Sequence, residues 1–243
     1  MERAAVYSGT RNVYMDMLTS AKALLMHSAV DRIYFLIEDD AFPVWLPDCI
    51  TVMNVSSQKW FPSTGPNYKS KWTYMVLLRA AFAKIFPHLD QILSIDIDAI
   101  TVRGIGSTLW TLPFDNEYFA ACSEFRKSRE GFTYYNMGVM VHNLKKIRED
   151  GIDDRLIHAL NTERFLYSEQ DCINKYCQGR FLTISSIYNH SLFTDPVDAK
   201  DVRIIHFAAM GSGYRDSDLV KWYANVGWDR VLDAREIRKR KSV

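Results

Sequence analysis

Two aspartates one residue apart, Asp96 and Asp98, interrupt the otherwise apolar run ILSIDIDAITV from Ile92 to Val102. In an extended chain alternate side chains share a face, so the two carboxylates would point the same way and repel unless something positive lay beside them. A divalent cation satisfies that demand. Mn²⁺ and Mg²⁺ take oxygen ligands and commonly bridge a few carboxylates to the phosphates of a substrate, leaving the remaining coordination to substrate and water. Asp-x-Asp after an apolar strand therefore suggests a metal-diphosphate site, and an aspartate that merely caps a turn is the ordinary alternative.

The surrounding pattern supplies a frame for such a pair. A first strand from Arg3 to Tyr7 stops at Ser8, Gly9 and Thr10, and an amphipathic helix from about Tyr14 to His27 follows. The strands RIYFLIED and ITVMNV come next. A turn-rich loop, SSQKWFPSTGPN, precedes a long helix expected through YKSKWTYMVLLRAAFAKIF, which leads into the strand that ends at Asp96. Such alternation predicts an α/β domain with a mostly parallel central sheet flanked by helices. EYFAACSEF and GVMVHNL extend the sheet, and VRIIHFA is a further strand. In open sheets of this kind the ligand crevice lies beyond the carboxyl ends of the strands, where Asp96 and Asp98 fall.

At 243 residues and 48% hydrophobic, the chain has enough apolar material for one substantial core, and it reads as one domain over 1–243 with a basic helical tail from about Asp229. The formal net charge of +1 gives no electrostatic case for nucleic acid. Cys49, Cys122, Cys172 and Cys177 have neither zinc-site nor redox-pair spacing and read as reduced structural thiols. No segment approaches the length of a membrane span, so a soluble, cytoplasmic protein is expected.

Two enzyme classes use Asp-x-Asp after a strand. In haloacid-dehalogenase-type phosphatases the first aspartate is a nucleophile and the second a general acid, and Gly-Thr usually follows; here the chain continues Ala99-Ile100, and Asp153 and Asp154 are poor candidates for the later acidic pair. The second class is indicated further downstream. YYNMGVMVHNLKKIRE (Tyr134 to Glu149), YSEQDCIN (Tyr167 to Asn174) and IIHFAA (Ile204 to Ala209) follow the Asp-x-Asp in that order. With it they resemble family 8 glycosyltransferases, the group that contains glycogenin and bacterial lipopolysaccharide galactosyltransferases, over most of the chain from Ala4 to about Tyr214.

The resemblance implies a single Rossmann-like domain of the GT-A type. It also implies a retaining transfer of a hexose, glucose or galactose, from a UDP-sugar with Mn²⁺ (or Mg²⁺) as cofactor. Asp96, Asp98 and His206 would be the metal ligands. Arg79 falls where relatives touch the donor phosphates, and an arginine can fork two phosphate oxygens. Tyr7, Ser8, Thr10, Asn12 and Tyr14 match the turn that holds base and ribose, and Ile97 joins the donor-binding set. Asn136 matches the asparagine that binds the donor sugar, and Met137 replaces a small residue, which would narrow the sugar pocket. Glu169, Gln170 and Asp171 occupy the family's catalytic positions, with glutamate where relatives have aspartate. After His206 relatives continue with glycine and Lys-Pro-Trp; this chain reads AAMGSGYRDS, and Arg215 is the candidate substitute for the lysine.

The acceptor implied is a glycan, a lipid-linked glycan or a protein. Trp60, Phe61 and Tyr68 could stack on a sugar face or lie packed under their own loop. The tail residues Arg238, Lys239, Arg240 and Lys241 allow weak contact with an anionic membrane surface, with a solvated helix end as the alternative. An inactive nucleotide-sugar or glycan-binding protein is the reading from another functional class. It is motivated by the missing lysine and by Met137.

Overall fold

The computed structural model describes residues 2–70, 72–125, 127–129 and 131–240. In chain order the elements are β1 (Ala4–Ser8), α1 (Tyr14–His27), β2 (Arg32–Ile37), β3 (Ile50–Asn54), α2 (Phe82–Ile85), β4 (Gln91–Ile95), β5 (Ala99–Thr101), β6 (Phe119–Ser123) and β7 (Tyr135–Asn143). They continue with α3 (Leu144–Glu149), α4 (Ile152–Thr162), α5 (Ser168–Tyr176), β8 (Phe181–Thr183), β9 (Ile204–His206), α6 (Asp218–Asn225) and α7 (Trp228–Arg240).

The seven-stranded sheet runs β3-β2-β1-β4-β7-β6-β8. β1 to β4 are parallel to one another, β7 is antiparallel to both β4 and β6, and β8 is parallel to β6. The mostly parallel sheet expected from the apolar strand runs is therefore present. Alternation along β1 shows why both faces need cover: Ala5 and Tyr7 enter one core cluster, Ala4 and Val6 the other. On the first face lies α1, buried around nearly its whole circumference because α6 and α7 pack over its outer side. The second face is covered by α2 to α5.

One expectation is corrected. The continuous helix through Tyr68–Phe86 is a 3₁₀ segment, Tyr74–Ala81, followed by the short α2. Ahead of it Ser70 Oγ bonds to both the N–H and the C=O of Trp72, a local arrangement that competes with helix. The 3₁₀ segment is buried on almost every side and so lacks the exposed face of an amphipathic helix. Lys71, within the expected helix, lies outside the described residues. The further strand expected in VRIIHFA is β9, which pairs antiparallel with β5 in a separate two-stranded sheet.

All four cysteines are buried and unpaired, as the spacing predicts. The tail lies in α7, where Arg238 and Arg240 are exposed; nearer its start Val231 and Arg235 are buried, and Arg235 donates to the carbonyls of Val30 and Asp31. Lys241 of the tail lies outside the described residues. Among the described residues no helix is long and apolar enough to cross a membrane.

Candidate active site

The chain reverses immediately after β4, with the Ala99 N–H donating to the Asp96 carbonyl (3.0 Å), so Asp96 and Asp98 stand in a tight turn. The following strand β5 pairs Ala99 with His206 of β9, and the Phe207 N–H donates to the Asp98 carbonyl (3.0 Å). That register brings the imidazole to both carboxylates: His206 Nε2 lies 3.4 Å from Asp98 and 3.5 Å from Asp96. Ligand atoms of the three residues fall within 4.8 Å of one another, the one such His/Cys/Asp/Glu group of three among the described residues.

The floor of the site comes from an irregularity in β7. Pairing with β6 matches Cys122 to Asn136 and then Ala121 to Met140, so Met137, Gly138 and Val139 drop out of that ladder. Two freed N–H groups turn to side chains: Met137 N donates to Gln170 Oε1 (3.1 Å) and Gly138 N to Asn136 Oδ1 (2.9 Å). On the other edge the Asp96 N–H donates to the Gly138 carbonyl (2.7 Å). A Cβ on Gly138 would stand 2.0 Å from His206 Cε1, so only glycine lets the ring occupy this position.

From these contacts a closed circuit of polar side chains can be traced. Asn189 Oδ1 lies 2.8 Å from His206 Nδ1, and Asn189 Nδ2 donates to Asn136 Oδ1 (2.8 Å). Asn136 Nδ2 donates to Glu124 Oε1 (2.7 Å), which also accepts from Gln170 Nε2 (3.3 Å). Glu169, next in the chain, accepts from Arg79 Nη1 (2.5 Å), and Arg79 Nη2 donates to Asp96. Asp96 faces His206, which closes the circuit.

Charge balance explains the titration of its members. Burial would discharge Arg79, but Asp96 and Glu169 outweigh it and raise its pKa. Burial pushes the Glu169 carboxyl up to about 7 against the pull of Arg79. For Asp98 the burial penalty is exceeded by the His206 charge, and its pKa is lowered. His206 is raised in turn, because Asp98 and Asp96 overcome the cost of burying an imidazolium.

Beside this circuit Tyr134 donates to Asp171 Oδ1 (2.5 Å) and accepts from Gln170 Nε2 (3.1 Å); burial and Asp171 raise the pKa of its hydroxyl. Lys127 covers the Tyr134 ring at 4.3 Å and the Tyr167 ring at 3.4 Å, and its Nζ is 3.8 Å from Glu124. Burial lowers the Lys127 pKa.

Of the sequence-predicted residues, the structure brings Asp96, Asp98, His206, Arg79, Asn136, Glu169 and Gln170 into the circuit, with Asp171 joined through Tyr134. Met137 does not narrow a sugar pocket: it is 1% exposed and packs in the core, because β7 turns it to the face opposite Asn136. Arg215 forks Asp16 through Nε (2.9 Å) and Nη2 (2.6 Å). Tyr7 is buried with its hydroxyl accepting from Ser20 Oγ (3.2 Å), while Ser8 Oγ donates to the Met75 carbonyl. Thr10 donates to Asn12, and Tyr14 donates to Asp39 while receiving the Glu38 N–H. Ile97 packs on the core edge. In the preceding loop Phe61 is buried and Tyr68 stacks on Tyr74 at 4.7 Å, so these two aromatics are packed beneath their own loop.

Sequence reasoning missed Glu124, Asn189, Tyr134 and the role of Gly138. Glu124 carried a usable signal, a carboxylate directly after an apolar strand, as at Asp96. Asn189, in SSIYNHS, carried none.

The overall fold is shared with solved glycosyltransferases. GlyE of Streptococcus pneumoniae TIGR4 superposes with a TM-score of 0.76 at 18% identity, covering 100% of this chain and 64% of GlyE. The galactosyltransferase LgtC, solved with donor and acceptor sugar analogs, superposes with a TM-score of 0.68 at 18% identity over 96% of this chain and 95% of LgtC. The fold is thus the GT-A fold.

A match to glycosyl transferase family 8 extends over residues 7–212, and the chain belongs to that family. A Haemophilus influenzae protein described as "Putative glycosyltransferase" is 29% identical over 142 residues, 53% of this chain and 42% of the relative. The chain therefore spans less than half the length of that relative.

Proposed function

We propose that the protein is a retaining hexosyltransferase that moves glucose or galactose from a UDP-sugar to a hydroxyl of a glycan, lipid-linked glycan or protein. The observation that carries this reading is the convergence of Asp96, Asp98 and His206 on one point, within a circuit that also holds Asn136 and Gln170. Two carboxylates and one imidazole suit Mn²⁺ or Mg²⁺, and Nε2 faces the carboxylates because Nδ1 is engaged by Asn189. When bound, such a cation offsets negative charge on a leaving diphosphate.

The chain's own groups then position the reactants. Asn136 is held by Glu124 and Asn189 at the floor of the site. Gln170 is committed through both ends of its amide, to Met137 N, Glu124 and Tyr134, and an amide so engaged is a weak nucleophile. Attack by the acceptor from the face the diphosphate leaves is therefore preferred over a covalent adduct on Gln170. Arg79 bridges Asp96 and Glu169 and so ties the metal-side turn to α5. Membership of family 8 sets the phosphatase alternative aside.

A thermal-shift panel of UDP, UDP-glucose and UDP-galactose, with and without Mn²⁺, tests the reading, followed by UDP release from the stabilising sugar. Stabilisation that requires both Mn²⁺ and nucleotide, lost in Asp98→Ala, is expected; no protection by any member of the panel would reject it. The Arg215–Asp16 fork favours a second reading, binding without turnover, since it occupies the cation nearest the missing lysine in sequence. Protection without UDP release would select that reading.

A further inference from the structure

Beside His206 lies a cavity of about 470 Å³, lined by Phe125, Leu192, Pro196, Phe207 and Met210 and by the backbone-paired His190. The described residues that line it include no carboxylate, ammonium or guanidinium. Its hydroxyls are spent on their own loop: Thr194 Oγ1 donates to the Asn189 carbonyl (2.8 Å) and accepts from Ser191 N (3.1 Å), and Ser191 Oγ accepts from Phe193 N (3.2 Å). At the rim Leu192 is 66% and Met210 50% exposed, where a purely structural loop would place polar side chains.

Such a lining is unsuited to the donor, whose diphosphate needs cations, and poorly suited to a bare sugar, which presents hydroxyls in every direction. It suits an aryl or alkyl group. A cavity of roughly 150 Å³ can hold a benzene-sized ring, so this one has space for a phenyl group and part of the sugar that bears it. Position supplies the rest: the cavity shares His206 with the metal cluster, and Phe207, in its wall, is bonded through its N–H to Asp98.

Resting on the transferase reading, we propose that this cavity receives an apolar substituent of the acceptor, so that acceptors are sugars carrying an aryl or alkyl aglycone. Its wall at His206 then sets the sugar hydroxyl of the acceptor beside the metal cluster. The probes are matched methyl, phenyl and hexyl β-glycosides of glucose, galactose and N-acetylglucosamine, titrated calorimetrically into the protein with UDP and Mn²⁺ and again without them. At least one phenyl or hexyl glycoside should bind about tenfold or more tighter than its methyl partner, as burial of the added apolar surface implies.

A rim variant, Leu192→Asp with Met210→Ser, should erase that difference while protection by UDP and Mn²⁺ persists. Because both side chains are half-exposed or more, the variant is expected to fold, and UDP protection reports whether it has. Equal binding of methyl and apolar partners, no binding of any apolar glycoside, or an unchanged preference in the folded variant would overturn the proposal. So would concentration-dependent dimerisation that the variant abolishes, since a second copy would then be the occupant. Loss of UDP protection in the parent chain would instead reject the transferase reading, and the titration without nucleotide would still read the cavity.

Discussion

Asn189 fixes which nitrogen of His206 carries the proton. Its Nδ2 is committed to Asn136 Oδ1, whose own orientation is anchored by the Gly138 N–H and the Glu124 carboxylate; the Asn189 oxygen must therefore accept from His206 Nδ1. Nε2 is left to the acidic pair. Asn189→Ala removes this support and should weaken Mn²⁺ binding about 10- to 100-fold. Asn189→Asp keeps the acceptor for His206 but loses the donor to Asn136, and should recover part of the affinity. Manganese EPR titration of the nucleotide-bound protein separates these variants, and equal affinity in parent and Asn189→Ala would refute the orientation argument.

Gly138→Ala should be far more damaging than its size suggests. The added methyl would meet the imidazole at 2.0 Å, and the ring would have to leave its place beside Asp96 and Asp98. Far-UV circular dichroism should be retained while the Mn²⁺-dependent thermal shift disappears.

Arg79 is 8% exposed and stands between two carboxylates. Replacing it with methionine would leave the buried Glu169 uncompensated and the half-buried Asp96 without its partner, a loss on the order of 3–5 kcal/mol in unfolding free energy. Arg79→Lys retains a charge but not the fork, and should be milder. Urea denaturation of both variants checks the order.

His142 gives the molecule an acid-sensitive core. Burial lowers its pKa to about 3, with the Arg79 charge adding to the effect, while Ser94 Oγ lies 3.0 Å from Nε2. The unfolded chain takes up the proton near pH 6.5 and the folded chain only near 3, so this contribution to stability is full above pH 6.5. It is lost on acidification through that window at up to about 1.4 kcal/mol per pH unit. His142→Gln should flatten the fall in unfolding free energy between pH 7 and 5.

The strands and the first helix were legible because their signals are local. The span Tyr14–His27 agrees end to end with the apolar spacing, and β1, β2 and β4 are mainly apolar runs. The 3₁₀ segment at Tyr74–Ala81 was not, since complete burial erases the amphipathic period that marks a helix. At the site, carboxylates at a strand end were visible, but the partners that orient them come from elsewhere. Asn189 acts through a bond to a histidine seventeen positions onward, and nothing in its own neighbourhood announces it. Arg79 was visible as a charge ahead of the strand, but its two bonds were not, because pairing across α5 and the turn after β4 is decided by packing.

The pairing of β5 with β9 carries a kinetic consequence. The acids are made early in synthesis and the imidazole late, and they meet only when a short two-stranded ladder closes over the intervening chain. A nascent or truncated polypeptide that halts before Ile204 would therefore hold both aspartates and still lack a competent cation trap. On the transferase reading, assembly of the Asp96, Asp98 and His206 cluster waits for this closure.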